Sequence, residues 1–95
     1  MAYYLRAIAH SGLAHYDEAL ADLNQMIELQ PDFTQSYLWR GRVYEEIGEI
    51  GLAIADYLYF LEIEVDFYLR LIVEDRLAAL GVDPYATEPA PTSTP

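Results

Sequence analysis

Two arginines stand at equivalent places in two similar stretches of the chain, and an aspartate follows each of them sixteen residues later. The pairs are Arg6 with Asp22 and Arg40 with Asp56. A guanidinium group can donate two parallel hydrogen bonds to one carboxylate, so each pair has the chemistry of a bidentate ion pair. Because burying both charges offsets most of their attraction, we expect such pairs to set helix register and orientation more than net stability.

The other titratable side chains form no pattern that is typical of catalysis. His10 and His15 are five residues apart, which does not place them on one helix face or match a zinc-binding motif. Glu45, Glu46 and Glu49 include an i, i+4 pair, and we interpret them as a solvated acidic helix end. The chain contains no cysteine, so disulfides, thiolate metal sites and cysteine nucleophiles are excluded. We predict that the protein is not an enzyme and uses no cofactor.

The charge of the chain is strongly negative. Its 95 residues include 16 acidic residues and 5 arginines, for a net charge of −11 at pH 7. Nucleic acids and anionic membranes bind clustered basic residues, so neither is an expected partner. The charge either keeps an apolar chain in solution or selects a basic partner. Arg6 and His10 interrupt the first apolar stretch, so we predict no signal peptide, and no apolar run is long enough for a membrane span. We expect a soluble chain, and its compartment is not indicated.

The elements that must position these residues are repeated. Residues 3–33 align without a gap on residues 37–67, at an offset of 34 residues. Eight pairs are identical: Tyr3/Tyr37, Arg6/Arg40, Ala19/Ala53, Ala21/Ala55, Asp22/Asp56, Glu28/Glu62, Asp32/Asp66 and Phe33/Phe67. Each unit contains two apolar patterns of helical length, separated by a short break. This period is typical of stacked helix pairs.

The breaks in the apolar pattern predict five helices, at about residues 2–13, 17–29, 35–47, 51–64 and 66–80. In the last of them, Asp75 stands where the repeat would place a small packing residue, and Gly81 follows as a helix-ending residue. We therefore divide the chain into repeat 1 at 1–33, repeat 2 at 34–66, a capping helix at 67–81 and a tail at 82–95. The tail is rich in proline and threonine, and we expect it to be flexible.

The repeat resembles the tetratricopeptide repeat over about residues 2–66. The residues that carry the resemblance are Tyr3, Ala7, His10, Ala19 and Pro31 in the first unit, and Tyr37, Gly41, Tyr44 and Ala53 in the second. Two departures are His10 in place of an aromatic residue and Val65 in place of proline. The resemblance implies an all-α, right-handed superhelical stack of antiparallel helix pairs, with small residues where helices pack closely. In such a stack Arg40 could reach either Asp56 of its own unit or Asp22 across the repeat boundary.

The resemblance also implies a concave groove lined by the first helix of each unit. The corresponding residues are Tyr4, Ile8, Ser11, Leu38, Arg42 and Glu45. The version that clamps a C-terminal carboxylate relies on lysines, arginine and asparagines, and at the corresponding places this chain has Tyr4, Ile8, Leu38 and Arg42, so that version is not supported. An amphipathic helix or an extended apolar or basic segment of a protein is the expected guest.

A second surface offers an alternative function. The fourth and fifth predicted helices carry more large apolar residues than one buried face can hold. The residues predicted to face outward are Leu52, Tyr59 and Ile63 of the fourth helix and Leu69 of the fifth. The chain is thus either an interaction scaffold that binds a protein or peptide, or a module that forms a homodimer or larger homo-oligomer. Two further alternatives are that other repeats of a longer chain cover this surface, and that the chain is part of a larger enzyme or regulator. The sequence does not identify the partner.

Overall fold

The computed structural model describes residues 2–85 of the chain, and these residues form five α-helices and no β-strand. The helices are α1 Ala2–Gly12, α2 Tyr16–Leu29, α3 Gln35–Ile47, α4 Ile50–Ile63 and α5 Phe67–Ala79. The predicted all-α fold is confirmed, and every helix end lies within one residue of the expected position. Most of the expected tail, residues 86–95, lies outside the described residues.

Local backbone geometry explains where the helices end. Gly48 ends α3 with φ of 87°, a left-handed conformation that an L side chain would strain. Gly81 has φ of 83°, and the next amide, that of Val82, donates to the Leu77 carbonyl at 2.8 Å. Asp66 begins α5 as its N-cap, because its carboxylate accepts the Leu69 amide at 3.0 Å. These hydrogen bonds satisfy backbone groups that the helices leave unpaired.

Two core clusters hold the helices together, and α3 contributes to both. The first cluster contains Ala7, Ala19, Leu23 and Val43, with Trp39 packed against it. The second contains Leu38, Ala53, Tyr57, Phe60, Leu61, Val73 and Leu77. Apolar residues at helical spacing on two sides of α3 therefore pack against the first repeat on one side and against α4 and α5 on the other.

The closest packing in the second repeat involves Gly41. A Cβ atom at this position would lie 2.6 Å from Cε1 of Tyr57 and 2.9 Å from its Cδ1. The buried tyrosine ring of α4 therefore fills the space beside the glycine. A residue without a side chain is therefore required where α3 crosses the ring.

The residues after α5 return to the helices. Val82, which we expected to begin the tail, packs against the second core cluster. The hydroxyl of Tyr85 accepts a hydrogen bond from Arg70 Nη2 at 2.8 Å and donates one to Glu74. Residues 82–85 thus lie against α5.

Candidate functional site

Each arginine pairs with the aspartate of its own repeat. Nε and Nη2 of Arg6 donate to Asp22 at 2.9 and 2.7 Å, and the same atoms of Arg40 donate to Asp56 at 2.8 and 2.7 Å. Arg40 does not reach Asp22. Instead its Nη1 donates to Asn24 Oδ1 at 2.9 Å. The partner of Arg40 in the first repeat is therefore a side-chain amide and not a carboxylate.

The two ion pairs differ in burial. The side chain of Arg6 is 60% exposed and that of Arg40 is 22% exposed, whereas Asp22 and Asp56 are each 8% exposed. The hydrogen bonds from Arg6 hold the pKa of Asp22 below its ordinary value. Arg40 is enclosed further because its guanidinium lies within 5.9 Å of the ring centroid of Tyr44. The second pair is therefore the better shielded from water.

A pocket of about 310 Å³ lies between α1 and α3 and includes three of the six residues predicted for the groove. Ile8 and Ser11 line it from α1, and Arg42 lines it from α3. Tyr4, a fourth predicted residue, is half-buried near the start of α1, and its hydroxyl donates to Gln35 Oε1 at 2.8 Å. Tyr4 is not among the residues that line the pocket, and the three predicted residues that line it make it the candidate binding site.

Leu38 is not a groove residue. It is only 6% exposed and belongs to the second core cluster, together with Val73 and Leu77 of α5. The prediction for Leu38 was wrong because its side chain is buried in the core that α3 shares with α4 and α5.

Glu45 does not line the pocket either. Its carboxylate accepts hydrogen bonds from Nε of Arg76 at 3.1 Å, from Nη2 of Arg76 and from the Tyr57 hydroxyl, and the side chain is 11% exposed. The bonds from Arg76 hold the pKa of Glu45 below its ordinary value although burial acts the other way. Burial in turn raises the pKa of Tyr57. Our interpretation of Glu45 as part of a solvated helix end was therefore wrong.

Sequence reasoning missed the aromatic wall of the pocket. Trp39 and Tyr16 line it, together with Gly12 and Glu46. The Arg42 guanidinium carbon lies 5.0 Å from the centre of the Trp39 ring, an arrangement typical of a cation–π contact. Trp39 and Arg42 are three residues apart on α3, a spacing that places them on one helix face and could have indicated this contact.

The described residues contain no metal-binding cluster. No group of three or more histidine, aspartate or glutamate side chains in residues 2–85 could hold a metal ion. The rings of His10 and His15 are nevertheless 5.8 Å apart, because α1 ends at Gly12 and the following turn brings them together. Within the same residues, no helix is both long enough and apolar enough to cross a membrane.

The residues predicted for self-association are only partly exposed. Leu52 and Tyr59 are exposed on α4, whereas Ile63 is half-buried and lines a second pocket of about 310 Å³ beside Tyr59. Leu69 packs against the second core cluster. Its assignment to the outer face was wrong, because the outer face of α5 is formed instead by neighbours such as Tyr68, which is 77% exposed.

Comparison with known proteins identifies the repeat. A family model described as tetratricopeptide repeat matches residues 2–33 and again residues 34–64. Helix α5 lies beyond the second match. A comparison with solved structures found no match.

Proposed function

This chain belongs to the tetratricopeptide repeat family, whose repeats are protein-interaction scaffolds, and we propose that it binds a peptide segment of a partner protein in the pocket between α1 and α3. The proposed role is binding, and it requires no catalytic group or cofactor.

The observation that carries this proposal is the half-open pocket itself. Its volume of about 310 Å³ is at the lower end of the range for ligand pockets, which suits one or two side chains of a peptide. Trp39 and Ile8 supply apolar surface, and Arg42 and Glu46 supply charges of both signs. Large aromatic residues and arginine are the residue types that most often dominate binding energy at interfaces.

The charge of the protein limits the guest. With a net charge of −11, the surface repels a strongly acidic partner and attracts a basic one. An apolar segment flanked by basic residues therefore fits both the pocket wall and the field around it.

The experiment that tests the proposal uses Trp39, which is the only tryptophan of the chain. Fluorescence titrations with a panel of blocked apolar peptides, with and without flanking lysines, report on the pocket directly. We expect at least one member of the panel to change the Trp39 emission in a saturable way. A panel in which no peptide binds would contradict the proposal.

Two glycine variants provide a matched comparison. Gly12 lines the pocket, Gly51 lies outside it on α4, and a Cβ at either position meets no atom within 4 Å. Gly12→Leu should fill the pocket and weaken binding at least about tenfold, and Gly51→Leu should leave the affinity unchanged. Equal effects of the two substitutions would show that the peptide binds elsewhere.

A second candidate function, self-association, rests on the exposed apolar side chains at the start of α5. Val65 is 91% exposed, Phe67 is 67% exposed, and Tyr68 lies next to them. Exposed apolar residues that lie close together often mark an interface, and two-fold dimers are the commonest oligomers. A homodimer formed through this surface and the outer face of α4, including Tyr59, is compatible with guest binding between α1 and α3.

Sedimentation of two double variants tests the self-association surface. Tyr59→Glu with Tyr68→Glu should convert a dimer into monomers, because both rings are exposed and neither belongs to the buried core. Ala21→Glu with Gln30→Glu adds the same charge at exposed positions of the first repeat and should leave the dimer intact. A monomeric parent protein, or a dimer that survives the first pair of substitutions, would exclude this surface as a self-association site.

A further inference from the structure

Because the sequence repeats every 34 residues, the contact between α1 and α3 can be compared residue by residue with the contact between α3 and α5. Arg76 is the equivalent of Arg42, and Glu45 is the equivalent of Ser11. Where α1 meets α3, the equivalent positions hold Ser11 on α1 and Arg42 on α3. Where α3 meets α5, they hold Glu45 on α3 and Arg76 on α5.

Between α3 and α5 these positions form a closed polar contact. Arg76 donates from Nε and Nη2 to the two carboxylate oxygens of Glu45, and the Tyr57 hydroxyl donates to the same carboxylate. The guanidinium and the carboxylate satisfy each other in the bidentate geometry that arginine favours.

Between α1 and α3 the same positions form an open contact. Ser11 and Gly12 stand where α3 has Glu45 and Glu46, and the pocket occupies the space beside these short residues. Within residues 2–85, Arg42 forms no hydrogen bond or ion pair with any side chain, and its guanidinium lies against the Trp39 ring.

The neighbouring acidic residues do not supply the missing carboxylate. Glu45 is already bound by Arg76, and Glu46 accepts a hydrogen bond from the Tyr16 hydroxyl at 3.3 Å. The Arg42 guanidinium therefore has N–H groups that can still donate hydrogen bonds to a planar acceptor such as a carboxylate.

We infer that Arg42 binds a side-chain carboxylate of the guest, an aspartate or glutamate carried by an otherwise apolar or basic segment. The guest carboxylate takes the place that Glu45 takes beside Arg76, with the Ser11 hydroxyl as a second donor within the pocket. We favour a side-chain carboxylate over a terminal one because Arg76, the equivalent of Arg42, binds the side-chain carboxylate of Glu45. This inference rests on the proposed function, whose pocket it uses.

One test needs no guest. Ser11→Glu restores the residue type found at the equivalent position, so its carboxylate should pair with Arg42. We expect Ser11→Glu to unfold at a temperature about 2–5 °C higher than Ser11→Gln, the shift typical of a partly exposed ion pair in a domain of this size. The difference should disappear when both variants also carry Arg42→Gln. Equal melting temperatures with Arg42 present would overturn the inference.

The second test uses three peptides of the same length. The probe is the peptide Lys-Leu-Leu-Glu-Leu-Leu-Lys with both termini blocked, the control has glutamine in place of glutamate, and the third peptide is the glutamine control with an unblocked C-terminus. Trp39 fluorescence should show binding of the glutamate peptide about tenfold tighter than binding of either glutamine peptide, since a charge-assisted hydrogen bond is gained. The preference should be lost in Arg42→Gln.

The outcomes separate this inference from the proposed function. Equal binding of the glutamate and glutamine peptides would overturn the carboxylate site and leave the peptide-binding pocket in place. Tighter binding of the peptide with the unblocked C-terminus would identify a terminal carboxylate as the guest group and would also overturn the inference. Failure of all three peptides to bind would contradict both.

Discussion

Truncation of Arg40 tests whether burial decides the value of the two repeated ion pairs. Arg40→Ala removes two hydrogen bonds to Asp56 and one to Asn24, and it leaves an aspartate with an 8% exposed side chain without its cation. The equivalent substitution, Arg6→Ala, removes two hydrogen bonds from an arginine that is 60% exposed. The chain therefore contains its own matched control, 34 residues earlier.

The expected magnitude follows from the environment of Asp56. Removal of one partner from a buried ion pair destabilises a protein by roughly 3–5 kcal/mol, because the remaining charge is left without compensation. Since 22% of the Arg40 side chain is still exposed, water can solvate part of the vacated site, and we expect a loss of about 3 kcal/mol. Arg6→Ala should cost clearly less, because solvent already reaches most of that guanidinium.

Urea unfolding, followed by far-UV circular dichroism and by Trp39 fluorescence, measures these differences. Arg40→Lys keeps the charge but not the bidentate geometry and should lie between the wild type and Arg40→Ala. Adding Asp56→Asn to Arg40→Ala should recover about 1 kcal/mol or more, since the uncompensated charge is gone. Equal costs of Arg40→Ala and Arg6→Ala would show that burial of the arginine does not decide the value of the pair, because Asp22 and Asp56 are equally buried. If Asp56→Asn brings no recovery, the uncompensated carboxylate is not the cause of the loss.

Three further predictions concern packing, an unpaired hydroxyl and pH. Gly41→Ala should destabilise the protein by about 1–3 kcal/mol, because its Cβ would lie 2.6 Å from the ring of Tyr57, whereas Gly51→Ala should be neutral or slightly stabilising in the same urea titration. Ser36→Ala should raise the free energy of unfolding by about 1 kcal/mol, because the buried hydroxyl has no hydrogen-bond partner within residues 2–85, and a lower free energy would mean that the hydroxyl is bonded. The pKa of Glu45 is lowered in the folded protein, so this residue contributes stability above its unfolded pKa and the contribution is lost as the pH falls through the folded pKa. Glu45→Gln should therefore lose less stability than the wild type between about pH 6 and about pH 3, and parallel pH profiles would argue against this account.

Much of the architecture was predictable from the sequence because it depends on local interactions. Helix ends follow from residues such as Gly48 and Gly81, which allow a left-handed backbone, and from Asp66, which caps a helix with its own side chain. The 34-residue period indicated helix pairs, and the sixteen-residue spacing of Arg6 and Asp22 suits two antiparallel helices joined by a short turn.

The choice of partner across a repeat boundary was not predictable in the same way. Sequence spacing allowed Arg40 to reach either aspartate, and only the packed helices show that it reaches Asp56 and Asn24. Both possibilities have the same chemistry, so the distance between helices decides between them.

The groove depended most on tertiary structure. Leu38 and Glu45 follow the same helical pattern as the pocket residues Ile8 and Arg42. Leu38 is nevertheless buried in the core shared by α3, α4 and α5, and Glu45 is paired with Arg76. Arg76 is 31 residues from Glu45, and no local signal indicates that the two side chains meet. The sequence by itself thus determined the helices and which residues each helix could present to a neighbour. Only the packing of α4 and α5 with α3 decided which of these residues remain open to a guest, because burial depends on what covers a helix face and not on the face alone.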